Sequence, residues 1–170
     1  MYLEGSILPN FDSNQITQLY EIYAKTKYLM IKAEELDPER NQTYLQPRLE
    51  LYQAFDHLMQ AYQNAEVLNT EINLASSIKH VTTAFFDIAD WLTMLIRLMV
   101  DTELREYDSE TIKTVLPDYY SVIRPEIDHL SNAISELRKN KTYENTDDVE
   151  KYVQLLEQAL TCTPKNVPFE

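Results

Sequence analysis

The sequence contains a single glycine, Gly5, among its 170 residues. Tight hairpins and bulges draw heavily on glycine, because glycine adopts positive φ angles without steric cost. A β-rich fold is therefore disfavoured for this chain. Hydrophobic residues make up 44% of the chain, which suits the core of one ordinary domain. We expect residues 1–170 to form a single all-α domain.

Apolar residues recur at steps of three and four along successive stretches of the chain, as in amphipathic helices. The predicted helices cover about residues 12–36, 47–68, 69–105, 109–117, 118–137 and 146–160, with an N-terminal arm at 1–11 and a loose tail at 163–170. The third stretch has an apolar stripe too wide for one neighbour, which predicts the long central helix of an antiparallel bundle of five or six helices. Pro125 either kinks the fifth helix or marks its first turn, and the pattern fits both.

Charge and cysteine content bear on partners and compartment. The net charge of −13 repels phosphate backbones at long range and disfavours RNA or nucleotide binding except at a small local site. Cys162 is the only cysteine, which fits a reducing cytoplasm. The first eleven residues lack the basic start of a secretory signal, and charges interrupt the most apolar region, so we expect no membrane span.

Two of the three histidines stand in the same local pattern. His57 precedes Ala61 by four residues, and His80 precedes Ala84 by four. Residues four apart share a helix face, so each alanine leaves space below the histidine for a neighbouring helix. The pattern predicts that two adjacent helices bring His57 and His80 together. The competing interpretation is that both are polar residues at the edge of a core.

Asp87 and Asp90 stand three residues apart on the most apolar helix. Buried carboxylates are costly without a partner, so at least one of them is expected to have a defined donor or to face a cavity. One interpretation makes them a general acid or base. The other pairs Asp87 with a tyrosine or with His80 and leaves Asp90 on the solvent side.

Metal binding is disfavoured by spacing. Glu126 and His129 form the Glu-x-x-His pair of di-iron carboxylate bundles, but the other histidines have no glutamate three residues before them. A zinc site that gathers His57, His80 and a carboxylate from different helices is the alternative. We expect no metal.

Twelve tyrosines are many for a chain of this length. Several flank the predicted contacts between helices, where a ring can be buried while its hydroxyl reaches a polar partner. These are Tyr44, Tyr52, Tyr62, Tyr119 and Tyr120.

The second predicted helix reads Glu-Leu-Tyr-Gln-Ala-Phe-Asp-His-Leu-Met-Gln-Ala at 50–61 and resembles the signature helix of the HEPN superfamily of small all-helical proteins. The third helix carries His-x-x-x-Ala-Phe-Phe-Asp at 80–87, which is similar to a second helix of some of these domains. The resemblance covers about residues 44–100. Many members of the family act as toxins or in defence against phage.

The resemblance implies a metal-independent ribonuclease site that requires no cofactor and is commonly composite across a homodimer. In the family, an arginine, four to six residues and a histidine share one helix; the histidine helps activate a ribose 2′-hydroxyl and the arginine holds the phosphate. His57 matches the histidine of this motif, and Asp56 matches a polar residue that commonly stands beside that histidine. The three permitted arginine positions carry Tyr52, Leu51 and Glu50, so the arginine is missing.

Three interpretations follow from these observations. The favoured one is a cytoplasmic HEPN-like module for dimerisation or for binding a protein or nucleotide-like ligand, in a toxin–antitoxin or defence context. The second is an active metal-independent ribonuclease, in which Arg97 or Arg48 of a second subunit replaces the missing cation. The third is a plain helical scaffold. The candidate catalytic residues are His57, His80 and Asp87, and the candidate binding or interface residues are Tyr52, Asp56, Gln60 and Asp90.

Overall fold

The computed structural model of the chain describes residues 11–36, 45–63, 66–139 and 146–161. These residues form six α-helices and one π turn, with no strand among them. The helices are α1 (Ser13–Leu36), α2 (Leu45–Gln63), α3 (Val67–Leu104), α4 (Ser109–Val115), α5 (Arg124–Lys139) and α6 (Thr146–Thr161), and the π turn is Tyr119–Ile123. The prediction of an all-α fold with five or six helices is confirmed. None of the helices in these ranges combines the length and apolar character needed to cross a membrane.

Some of the predictions fall outside the described residues. They concern the arm at 1–10, the side chains of Tyr44 and Cys162, and the tail at 163–170.

The junction between α2 and α3 lies earlier than the sequence pattern predicted. α2 ends at Gln63 and α3 begins at Val67, whereas the apolar pattern carried the second helix to about residue 68. Val67 and Leu68 are 73% and 67% exposed, so they prolong the apolar pattern without packing in a core. The Glu66 carbonyl accepts from both the backbone N–H and the hydroxyl of Thr70, each at 3.1 Å, and this fixes the first turn of α3.

Pro125 lies in the first turn of α5, which directly follows the π turn. A proline ring clashes with the carbonyl four residues earlier and has no N–H to donate. The residues just before it form a π turn instead. In that turn the Ile123 N–H donates to the Asp118 carbonyl at 3.1 Å, a step of five residues.

Two compact units divide the chain. The described part of unit 1 comprises residues 11–30, 45–63 and 66–88, and that of unit 2 comprises 31–36, 89–139 and 146–161. Within unit 1, Phe85, Phe86 and Leu74 are fully or almost fully buried. The single helical domain stays a prediction.

Unit 2 has its own apolar core, and Tyr152 is a fully buried aromatic residue in it. The Tyr152 hydroxyl lies 3.2 Å from both Asp90 Oδ1 and the Ile134 carbonyl oxygen and donates toward them. A second cluster in this unit includes Val100 and Ile127. Both α1 and α3 contribute residues to the two units, and α3 is the predicted long apolar helix, 38 residues in length.

Asp108 caps the N-terminus of α4. Its Oδ1 accepts from the backbone N–H groups of Glu110 at 3.0 Å and Thr111 at 2.8 Å. These hydrogen bonds, above all the one from the Thr111 backbone, lower the pKa of Asp108 below its ordinary value of 3.8. Folding therefore favours the charged form of Asp108. The stability that this carboxylate provides is present above pH 3.8 and is lost as the pH falls through the lowered pKa.

We expect Asp108→Ala to lower the thermal unfolding midpoint at neutral pH, because two N–H groups lose their acceptor. The difference from the natural protein should shrink as the pH falls below 3.8. Asp108→Asn is the control, since it keeps an acceptor without a titrating charge. This account is contradicted if the unfolding midpoint of the alanine variant stays below that of the natural protein by the same amount down to acidic pH.

Candidate functional site

Small residues bring α2 and α3 of unit 1 close together. Ala54 and Ala61 on α2 are 4% and 0% exposed. The buried Ser77 hydroxyl of α3 donates to the Ala54 carbonyl oxygen at 2.8 Å, and the Thr70 hydroxyl donates to the Ala61 carbonyl oxygen at 3.4 Å. Side chains on this contact line therefore lie within reach of the opposite helix.

His57 and His80 meet between these two helices. Their ring centroids are 5.3 Å apart and their planes differ by 15°, so the rings are stacked. Both side chains are half-buried. The alanines one turn further along, Ala61 and Ala84, are both fully buried. The pairing of the two histidines, predicted from their shared pattern, is present in the structure.

Hydrogen bonds fix the orientation of the His57 ring. Its Nδ1 lies 3.0 Å from Asn73 Oδ1, and Asn73 Nδ2 donates to the Asn69 carbonyl oxygen at 2.9 Å. Because the second bond requires the amide nitrogen of Asn73, the atom facing His57 is the amide oxygen, an acceptor. His57 Nδ1 is therefore the donor, and in the neutral ring Nε2 carries the lone pair.

Glu50 orients the His80 ring in the same way. His80 Nδ1 donates to Glu50 Oε2 at 2.7 Å, and Gln46 Nε2 donates to the other carboxylate oxygen at 3.0 Å. The Glu50 side chain is only 13% exposed and that of His80 is 25% exposed. Carboxylate-backed imidazoles are typical of acid–base sites, because the carboxylate holds the tautomer and stabilises the imidazolium.

Glu50 is a functional candidate that sequence reasoning missed. It appeared there only as one of the positions where the family carries an arginine. The signal that could have found it is its spacing from His57, since seven residues are two helical turns and place both side chains on the same side of α2. In this chain the position contributes a carboxylate to the histidine pair instead of a cation.

The stacking of the rings argues against a shared metal ion. An imidazole binds a metal along the lone pair in its own ring plane, so two rings bind one ion only where their planes meet. The planes of His57 and His80 are nearly parallel at 5.3 Å and do not meet near the rings. Within the described residues, no group of three or more His, Cys, Asp or Glu side chains is placed to hold a metal ion. Glu126 and His129 both lie exposed on α5.

Neither aspartate of α3 is the carboxylate that contacts His80. Asp87 is half-buried seven residues beyond His80, and the carboxylate in contact with His80 is that of Glu50. Asp90 belongs to unit 2, where it accepts from the Tyr152 hydroxyl. The defined donor expected for at least one of the two aspartates is thus present at Asp90, where the buried Tyr152 of α6 supplies it.

α2 has a second apolar face that points to solvent. We call it the outer face; it consists of Leu45, Leu49, Tyr52, Phe55, Met59 and Tyr62, which are 63%, 42%, 68%, 59%, 39% and 50% exposed. Phe55, Met59 and Tyr62 follow the helical apolar pattern that favours burial, yet they are exposed. Ala54 and Ala61 occupy the packed side and turn the larger residues outward.

The candidate interface residues of α2 lie on or beside this outer face. Tyr52, Asp56 and Gln60 follow one another at steps of four and are all exposed. The expected burial of Tyr52 and Tyr62 is wrong, and Tyr120 is also exposed at 37%, whereas Tyr119 is buried at 7%.

An apolar cavity of about 370 Å³ adjoins the outer face in unit 1. Phe55 belongs both to the outer face and to the lining of this cavity. Tyr20 and Tyr23 of α1 form the other aromatic walls of the cavity. Exposed apolar surface of this extent is unusual for a protein that stays alone.

Comparison of the chain with protein-family models, with curated proteins and with solved structures finds no match.

Proposed function

We propose that this chain is a homodimerisation module of the HEPN-like type, of the kind used in bacterial toxin–antitoxin or defence systems. The outer face of α2 is its interface, and a second copy of the chain is its partner. The observation that carries the proposal is the set of six large apolar side chains that this face exposes.

The extent of this face matches what a dimer needs. Six half-exposed side chains of this size offer on the order of 600 Å² per copy, so two copies bury about 1,200 Å² together, at the lower end of stable interfaces. A monomer would leave this area in water.

The spacing of the outer face suits pairing of two helices. Leu45, Tyr52 and Met59 follow one another at steps of seven, and Phe55 and Tyr62 each come three residues after one of them. These are the a and d positions of a coiled-coil seam. The middle of the stripe lies between residues 53 and 54. Residues 45 and 62 are equally far from this point, and so are residues 52 and 55. Two antiparallel copies of α2 therefore place apolar residues opposite each other at these positions. A two-fold axis requires such a self-complementary patch.

Sedimentation equilibrium of the purified protein tests the proposal. We expect a mass of twice 20.0 kDa at micromolar concentrations. A monomer mass at every concentration up to about 100 µM overturns the proposal, because an interface of this size populates the dimer in that range.

The stacked histidines support a second candidate function, metal-independent cleavage of RNA, which the resemblance also implies. In this scheme His57 Nε2 removes the proton from a ribose 2′-hydroxyl, and the 2′-oxygen attacks the adjacent phosphorus. Protonated His80 gives its Nε2 proton to the departing 5′-oxygen. The products are a 2′,3′-cyclic phosphate and a free 5′-hydroxyl, and no cofactor takes part.

The parallel rings suit this chemistry. The attacking and leaving oxygens lie on opposite sides of the phosphorus, so the base and the acid have to act at two separate points. The ring centroids of His57 and His80 are 5.3 Å apart, so one ring can act on the attacking oxygen and the other on the leaving oxygen. His80 is the ring with a carboxylate partner, since its Nδ1 donates to Glu50 Oε2 at 2.7 Å, and the scheme therefore gives it the acid role.

The second candidate is tested by incubating purified protein with RNA in EDTA. We expect slow cleavage that yields 2′,3′-cyclic phosphate ends, slow because the family's arginine is replaced by Glu50. If the RNA stays intact, the second candidate is rejected and the dimer proposal is unaffected.

A further inference from the structure

Two Arg-x-x-x-Asp stretches of unit 2 line one cavity. Arg97 and Asp101 come from α3, and Arg124 and Asp128 come from α5. The cavity has a volume of about 170 Å³. Residues four apart share a helix face, so each stretch presents one guanidinium and one carboxylate to it.

The floor of this cavity is apolar and its rim is charged. The floor consists of Val100, Ile127 and Tyr119, which are 4%, 6% and 7% exposed and belong to one buried cluster. The four charged side chains are exposed around it. The site therefore combines a buried apolar floor with a rim that carries charges of both signs.

The four rim charges are not neutralised by ion pairs. Among the described residues, none of them forms an ion pair within 4.0 Å, although other helices of the chain do form such pairs, as Lys32 does with Glu35. In both stretches the cation precedes the anion by four residues, which is the less favourable order on a helix. Two positive and two negative groups thus remain available to a ligand.

The electrostatics of Tyr119 reflect the same arrangement. Burial raises the pKa of its hydroxyl, Arg124 acts in the opposite direction, and Asp101 and Asp128 raise the pKa further. Groups from both stretches therefore act on one phenol at the floor.

A larger cavity of about 380 Å³ adjoins this one, and Arg97 and Asp101 line both. Its other walls are uncharged hydroxyls and aliphatic groups apart from Asp90, which already accepts from Tyr152. These walls are Thr93, Ser131, Ser135, Met94, Leu98 and Ile134. This larger cavity has room for an uncharged side chain of a ligand.

We propose that these two adjoining cavities bind a small zwitterion, an α-amino acid with an uncharged side chain. The arginines hold its carboxylate, the aspartates hold its ammonium group, and the side chain enters the larger cavity. Arginine pairs with carboxylates through two parallel hydrogen bonds, which fixes the orientation of such a ligand. This site shares no residue with the outer face of α2 or with the histidine pair.

NMR titration of the ¹⁵N-labelled protein with glycine, L-serine and L-methionine tests the proposal. We expect saturable shifts that are confined to residues 90–101 and 119–135. N-acetyl-L-methionine lacks the ammonium group and L-methioninamide lacks the carboxylate, so each should bind at least about tenfold more weakly than L-methionine.

Variants separate the ligand contacts from the general charge of the surface. Arg124→Gln and Asp128→Asn should each weaken binding of L-methionine at least about tenfold, because each removes a charged hydrogen-bond partner. Arg105→Gln alters an exposed arginine outside the cavity and should leave binding unchanged. Circular dichroism confirms the fold of each variant.

The proposal is overturned if none of the three amino acids gives saturable shifts. It is also overturned if N-acetyl-L-methionine binds as tightly as L-methionine, which would show a plain anion site. Equal loss of binding in Arg105→Gln and Arg124→Gln likewise contradicts it.

Discussion

Replacing Phe55 by glutamate is expected to convert the dimer into a monomer at micromolar concentrations. Phe55 is 59% exposed in the single chain, so the fold itself loses little when the ring is removed. In the dimer the new carboxylate is buried on both sides of the two-fold axis without a partner. A cost of about 4 kcal/mol weakens association roughly a thousandfold.

Sedimentation velocity gives the mass of this variant, and thermal unfolding at low concentration gives the stability of its fold. Val122→Glu is the matched control, since Val122 is 57% exposed on the π turn and lies outside the outer face. This control should remain a dimer. A Phe55→Glu protein that sediments like the natural chain refutes the interface, and dissociation of the Val122→Glu protein as well shows that added charge alone is responsible.

Periodicity predicted most of the helical fold because the helices bury continuous apolar stripes. α1 and α3 begin and end within a few residues of the predicted positions. The π turn before α5 was not predicted, since a step of five residues leaves no distinct mark in an apolar pattern. Pro125 was the only visible signal, and it fitted two geometries.

The outer face of α2 shows where periodicity is insufficient. This helix carries apolar residues on more than one side, so its pattern does not distinguish the packed side from the open one. Packing resolves the choice, because Ala54 and Ala61 allow α3 to approach and larger residues at the same positions would hold it away. Which side of α2 is packed therefore depends on the shape of α3, and the residues of α2 alone do not encode that shape.

The meeting of the two histidines was predicted as one of two interpretations, and the carboxylate beside them was not predicted. His57 and His80 share a pattern with a small residue one turn along, and such a pattern reports a close helix contact. The contact between Glu50 and His80 spans 30 residues of sequence and depends on the register of α2 against α3. Sequence reasoning saw only that position 50 lacks an arginine.

Changing either stacked histidine to alanine is expected to lower RNA cleavage by about 10² to 10⁴-fold, the usual worth of a positioned acid or base. The initial rate of cleavage in EDTA measures the effect. His129→Ala is the control, because His129 is exposed on α5 and belongs to unit 2. Its rate should equal that of the natural protein, and circular dichroism should show that all three variants are folded.

The double variant decides whether the two rings act in one step. A base and an acid that serve the same displacement fail together, so His57→Ala combined with His80→Ala should be hardly slower than the worse single variant. Losses that multiply instead would mean that each ring contributes independently, as two separate binding contacts do, and would contradict the paired mechanism. Glu50→Gln separates orientation from charge, because glutamine keeps an oxygen for His80 Nδ1 while removing the negative charge beside that ring. The rate of this variant should therefore fall while its fold and its dimer remain intact.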